Sequence, residues 1–181
     1  AQLMRKHHIG ALVVVDAAKN LLAVREADTV VILENDLYHR APASMVDNAL
    51  AQAKHVIVID HQLTATGRNG NLLLASTSFA ETDGTVVNQE GRAQRFYQVF
   101  DANFYHPEYV MQDSWRWLHG LTTAMAGQEF EWGDMDDATA ACASAFPILA
   151  GIVNAAPDSD FRIKGLKIAR SPRRYSGRTA Q

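Results

Sequence analysis

Thr29-Val-Val-Ile-Leu33, Pro42 to Ala53, and Val56-Ile-Val-Ile59 decide the fold. The first and last runs are apolar at consecutive positions. A strand of that kind has no solvent face and is covered on both sides, as in parallel sheets. The segment between them reads differently. Pro42 and Ser44 open a helix, with Ser44 as the expected cap and Asp47 in the first turn. Val46, Ala49, Leu50 and Ala53 then fall at i, i+3, i+4 and i+7, one face of a helix. Strand, helix, strand at this spacing predicts a parallel crossover unit.

The same grammar extends outward. Ala11 to Val15 reads as a preceding strand, and Asp16 can cap a helix from Ala17 to about Glu26. Leu72 to Leu74 reads as a fourth short strand. Gly84-Thr-Val-Val87 and Arg92-Ala-Gln-Arg-Phe96 flank Asn88-Gln-Glu-Gly91, which predicts a hairpin, or two extended segments joined by a tight turn. The last third turns helical. Pro107 sits where a first helical residue would, and Met111, Trp115, Leu118, Leu121 and Met125 make an apolar stripe ended by Gly127. Trp117 points away from that stripe, toward a neighbour or a loop. A second helix runs from Asp134 to Ala145, with Asp136 and Asp137 in its first turn. The expected organisation is an α/β sheet domain over 1–105, a helical extension over 106–155 and an irregular basic tail over 156–181.

Composition narrows the chemistry. Of 181 residues, 48% are hydrophobic and 20% charged, which is globular and neither disordered nor membrane-like. No apolar run approaches the ~20 residues that span a bilayer, so no direct membrane insertion is expected. The single cysteine, Cys142, can form neither an internal disulfide nor the cysteine ligand set of an iron–sulfur cluster. It lies among alanines and reads as a small packed thiol. The seven histidines show no HExxH spacing, so no metal site is expected.

Net charge is −3 but uneven. Residues 162–181 hold seven cations (Arg162, Lys164, Lys167, Arg170, Arg173, Arg174 and Arg178) and no acid, which leaves −10 on the first 161 residues. The tail reads as a solvated tail or a seam against an acidic neighbour, with Arg173 and Arg174 as candidate anchors in the second case. Its rival is a nucleic-acid contact, for which Phe161 and Tyr175 are thin stacking material, and no nucleic-acid partner is expected.

In an open parallel sheet a ligand sits beyond the carboxyl ends of the strands. Glu34-Asn35-Asp36 and Asp60-His61-Gln62 fall there. The first has two carboxylates and no glycine, which repels a phosphate rather than cradling it. Asp60-His61 has the residue types of an orienter and a base, but adjacent extended residues point to opposite faces. The pair therefore reads as a loop histidine beside a capping aspartate. The chain has no P-loop, no G-x-G-x-x-G and no G-x-S-x-G elbow, and no catalytic residue is expected.

One stretch is more specific. Phe79-Ala-Glu-Thr-Asp-Gly-Thr-Val-Val-Asn-Gln-Glu-Gly-Arg-Ala-Gln94 follows His55-Val-Ile-Val-Ile-Asp60, Leu63-Thr-Ala-Thr66 and Asn71-Leu-Leu-Leu74. This order resembles the third α/β domain of the molybdopterin oxidoreductase superfamily. Thr29 to Leu37, Asp60-His-Gln62, Gly91 to Phe96, Ser114-Trp-Arg-Trp-Leu-His119, Phe161 to Gly165 and Arg174 to Ala180 narrow the resemblance. Together they resemble the C-terminal part of the large iron–sulfur subunits of bacterial NADH-quinone oxidoreductase (respiratory complex I). The resemblance runs from about residue 25 to the end.

The resemblance implies a Rossmann-like, mostly parallel sheet with flanking helices and a helical C-terminal part. It implies a fragment of a longer subunit whose N-terminal part holds iron–sulfur clusters, within a complex that uses FMN and NAD and pumps protons. The implied partners are the rest of that subunit and other peripheral-arm subunits, on the cytoplasmic face of the inner membrane. Departures from the superfamily pattern are informative. Glu34 and Asp36 surround Asn35 where cofactor-bearing relatives have glycine and proline, and Leu74-Ala-Ser76 lacks the usual proline. The expectation is a cofactor-free scaffold. The rival is a residual pterin or nucleotide site rimmed by Asn35, Asp60, Thr85 and Asn88.

Overall fold

In a computed structural model the described residues are 11–14, 27–126, 132–155 and 157–161. Strands β1 (Ala11–Val14), β2 (Thr29–Leu33), β3 (His55–Asp60) and β4 (Leu72–Ala75) form one parallel sheet in the order β1-β2-β3-β4. The α/β class with a parallel sheet is as the sequence predicts. Strand order advances in one direction only. The described sheet therefore lacks the reversal at which doubly wound folds open their ligand crevice.

Along the central strands successive side chains go to opposite faces of the sheet, as a pleat requires. Val30, Ile32, Val56 and Val58 face helix α1 (Ala43–Leu50) and pack with Leu37, Val46, Ala49 and Leu50. Val31 and Ile59 face the other way, with Leu33, Ile57 and Leu74 around them. Trp117, Leu118 and Leu121 of helix α4 (Ser114–Ala126) cover that second face. Chain segments about 70 residues apart in sequence thus sandwich two strands.

Between β3 and β4 the crossover is the five-residue helix α2 (Ala65–Asn69), capped by the Thr64 hydroxyl accepting from the Gly67 amide at 3.1 Å. β5 (Gly84–Val87) and β6 (Ala93–Phe96) form the antiparallel hairpin. The Asn88 side chain accepts from the Glu90 and Arg92 amides within its turn, and Gly91 takes φ +77°, a conformation glycine adopts without strain. A short helix, α3 (Ala102–Tyr105), lies before α4, and α5 (Met135–Ala145) follows it. Asp134 and Asp137 close a reciprocal capping box on α5. A 3-10 helix over Pro147–Asn154 packs back on α5.

Several local expectations are corrected. Ser44 does not cap α1. Pro42 holds that position without a side-chain bond, and Asp47, one turn further in, accepts from the Tyr38 hydroxyl at 2.6 Å. The long helix starts at Ser114 rather than near Pro107, because the Asp113 carbonyl takes the first-turn amides of Arg116 and Trp117. That start sets the helical face. Trp117, not Trp115, meets the sheet, and its indole Nε1 donates to the Ala75 carbonyl at 2.8 Å. Trp115 instead lies under the Arg116 guanidinium at 4.2 Å. Cys142 is exposed rather than packed, since α5 buries the face of Thr139 and Ala143. The expected helix from Ala17, the Gly127 stop and residues 162–181 of the basic tail lie outside the described residues.

At Gly84, the first position of the hairpin, an added side chain would force the Phe96 ring to move. A Cβ there would come within 2.4 Å of the Phe96 ring. Gly84→Ala is expected to lower stability by about 1–3 kcal/mol through overpacking, measured by urea denaturation. Gly91→Ala loses stability instead through its positive φ, with nothing within 4 Å of the added carbon.

Candidate functional site

The carboxyl edge of the sheet is where a ligand would be read, and the chain fills it with polar side chains of its own. β2 ends in Glu34-Asn35-Asp36 and β3 in Asp60-His61-Gln62. The expected Asn35 and Asp60 thus stand at the carboxyl ends of adjacent strands, both buried, beside the Glu34 amide that donates to the Ile59 carbonyl at 2.8 Å. The other two expected rim residues sit elsewhere. Thr85 pairs with Arg95 in the hairpin, and Asn88 is spent holding the hairpin turn.

Each carboxylate at the edge already has partners. Asp36 accepts from the Thr66 hydroxyl at 2.7 Å, the Thr66 amide at 3.3 Å and the Tyr38 amide at 3.2 Å, with His39 Nε2 at 3.5 Å. Fully buried Thr66 in turn accepts from the Leu37 amide at 2.8 Å, so its one hydroxyl joins the loop after β2 to helix α2. Burial pushes the Asp36 carboxyl up. The Thr66 hydroxyl, the two amides and His39 outweigh it and hold the group below the ordinary 3.8. Asp60 accepts from the Gln62 amide at 3.0 Å and lies 3.3 Å from His61 Nδ1. The two residues do meet, contrary to the opposite-face expectation, because the strand ends at Asp60 and the chain turns. With the carboxylate committed to a backbone amide, the pair is a turn cap. Asn35 accepts from Arg40 Nε at 3.3 Å.

The segment 112–117 then closes over the edge, and sequence reasoning missed it. Ser76 bridges to Gln112, the Thr77 hydroxyl donates to Asp113 at 2.9 Å, and the Ser114 hydroxyl donates to Glu34. Glu34 holds φ +45°, a left-handed conformation that costs a non-glycine residue about 1–3 kcal/mol, in a position that glycine would take freely. The available signal was the pairing of a polar Ser76-Thr77 after an apolar strand with Gln112-Asp113-Ser114 before an apolar helix. Nothing in linear order joins the two. Ser76 Oγ is buried without a partner among the described residues.

A profile of the molybdopterin oxidoreductase family matches residues 5–106, more than half of the chain. The chain belongs to the molybdopterin oxidoreductase family. Within that family it is 55% identical over 166 residues to the G subunit of NADH-quinone oxidoreductase from Pseudomonas putida, covering 92% of this chain and 18% of that protein. It is 52% identical over 171 residues to the G subunit of the same enzyme from Yersinia pestis, covering 91% and 19%. The chain thus spans about a fifth of the length of these relatives.

The residues present do not fit the cofactor for which the family is named. A pterin dinucleotide needs backbone amides free to meet its phosphates. Here Glu34, Asp36 and Asp60 put three carboxylates at the edge, and the Gly67 amide at the start of α2 is taken by Thr64. Among the described residues no group of three or more His, Cys, Asp or Glu side chains is placed to hold a metal ion, and no helix is long and apolar enough to cross a membrane.

The Asp36–Thr66 lock has a pH signature. A carboxyl held below its ordinary value contributes stability that is present above the unfolded value and is lost as pH falls through the folded one. The unfolded chain should therefore gain on the folded one below pH 3.8, the ordinary value of the group. Thr66→Val, which removes the hydroxyl, is expected to cost about 1–3 kcal/mol at neutral pH. It should also flatten that acid loss, both read by urea denaturation across pH.

Proposed function

We propose that this chain is a cofactor-free scaffolding domain of the large iron–sulfur subunit of a bacterial NADH-quinone oxidoreductase. The observation that carries the reading is the closure of the carboxyl edge by Gln112, Asp113 and Ser114. The identity to the corresponding subunits of several bacteria supplies its context. A sheet edge whose polar groups are tied to the chain's own helix start offers packing surface, not a binding crevice. In that setting NADH delivers electrons to FMN, and iron–sulfur clusters elsewhere in the subunit carry them toward quinone. The coupling to proton translocation lies outside this domain. Its partners are the rest of its own subunit and other peripheral-arm subunits, at the cytoplasmic face of the inner membrane.

The competing reading is a residual pterin or nucleotide site using Asn35 and Asp60. Purified chain is expected to be colourless and free of molybdenum, tungsten, iron and fluorescent pterin. Stoichiometric pterin or metal would establish the competing reading and discard the scaffold. In the complete subunit, Asp113→Ala is expected to lower the yield of assembled oxidoreductase on native gels while the iron–sulfur paramagnetic signals per assembled complex stay unchanged. Unchanged yield would remove the closure from any role in assembly.

A further inference from the structure

Packing puts a glycine directly after the last residue of α2. Gly70 leaves the helix in extended backbone, and a Cβ there would lie 2.9 Å from Val58 Cγ2 and 3.4 Å from the Val56 carbonyl oxygen. Val58 is fully buried, so it has little room to give. The residue before Gly70 is Asn69, exposed at the end of the crossover. An asparagine in front of a glycine carries its own electrophile and nucleophile. Its carboxamide carbon and the next backbone nitrogen can close a five-membered ring, and glycine has no side chain to screen that nitrogen. Among the described residues the Gly70 N–H closes no bond back onto α2.

The fold restrains this reaction through the carboxamide. Asn69 Nδ2 donates to the Tyr38 hydroxyl oxygen and to the Ala65 carbonyl, both at 3.0 Å. The Tyr38 hydroxyl gives its one hydrogen to Asp47 at 2.6 Å, so toward Asn69 it can only accept. Both Nδ2 hydrogens are thus engaged. Ring closure needs Asn69 to turn out of its helical backbone, away from both partners.

We propose that Asn69 is a site of spontaneous deamidation, restrained in the folded chain by Tyr38. The Gly70 nitrogen forms a bond to Asn69 Cγ and gives its proton to solvent. The Cγ–Nδ2 bond breaks, and ammonia leaves with a proton taken from solvent. Water then opens the succinimide at either carbonyl, to aspartate or isoaspartate, with no oxidation or reduction. Either product replaces a donor with a carboxylate that only accepts. The one Tyr38 hydrogen already belongs to Asp47, so the new carboxylate has nothing to bind there and repels the old one. Isoaspartate also lengthens the backbone by one carbon where Gly70 packs on Val58. Helix α2 carries Thr66, which bonds Asp36 and the Leu37 amide, so the modification loosens the junction at the carboxyl edge. The site is independent of the scaffold reading.

The test is peptide mapping by mass spectrometry of the purified chain held at mildly alkaline pH, with fragmentation that separates aspartate from isoaspartate. Residue 69 is expected to convert ahead of the exposed Asn48 and Asn103, to a mixture of both products. Conversion no faster than at those two, or to aspartate alone by direct hydrolysis, would overturn the site. Tyr38→Phe removes the acceptor and is expected to speed conversion at 69 by about three- to tenfold, the rate equivalent of one hydrogen bond, without changing Asn103. An unchanged rate removes Tyr38 from the proposal. Should Tyr38→Phe not fold, the unaltered chain decides: conversion at 69 must run faster in urea than in buffer, and equal rates discard the restraint. Asn69→Asp, which is one of the two products, is expected to lower the thermal midpoint more than Asn103→Asp does. An equal or smaller fall would refute the loosening at the carboxyl edge.

Discussion

Two strands whose inner residues are apolar at consecutive positions need cover on both faces, and the rest of this structure follows from that need. Val30, Ile32, Val56 and Val58 bury against α1, which the chain supplies locally between the strands. Among the described residues no local helix covers Val31 and Ile59. They are covered by Trp117, Leu118 and Leu121, which the chain delivers only after a hairpin and a long connection. Burial of one large apolar side chain is worth about 1.5–3 kcal/mol, so an uncovered second face would consume most of the marginal stability of a domain this size.

Docking α4 on the second face fixes where its first turn falls. With Trp117 anchored to the Ala75 carbonyl, Gln112, Asp113 and Ser114 arrive at the carboxyl ends of β2 and β4. Closure of the edge is thus a by-product of core packing. The same edge carries the strained backbone of Glu34 and the Thr66 junction, so polar strain and polar compensation sit side by side. The family relationship and the closed edge are compatible because fold and function separate. The parallel sheet belongs to the molybdopterin oxidoreductase family, whereas a cofactor site would depend on loop residues that here bond to one another.

The hairpin side of the molecule follows a different logic. Asp136 gathers Arg95 and the Ser159 amide, which joins β6, α5 and the 157–161 segment through one carboxylate. Burial pushes that carboxyl up, and the Ser159 amide and Arg95 bring it below the ordinary value. An acid held so firmly in its charged form fixes one end of the guanidinium.

Local pattern was enough to determine the strands, the hairpin and helix α5. Continuous apolar runs admit only a doubly covered strand, and Asp134 with Asp137 forms a cap through groups three residues apart. The Glu34 and Asp36 carboxylates already argued against a phosphate from the sequence alone. Tertiary structure decided the rest. Whether Trp115 or Trp117 faces the sheet depends on which residue begins the helix, and that was settled by Asp113 and by the space above Ile59. The Thr77–Asp113 and Arg95–Asp136 pairs span 36 and 41 residues, and the Glu34–Ser114 pair spans 80. Contacts of that separation have no periodicity to betray them, because only the packing of the two faces brings their ends together.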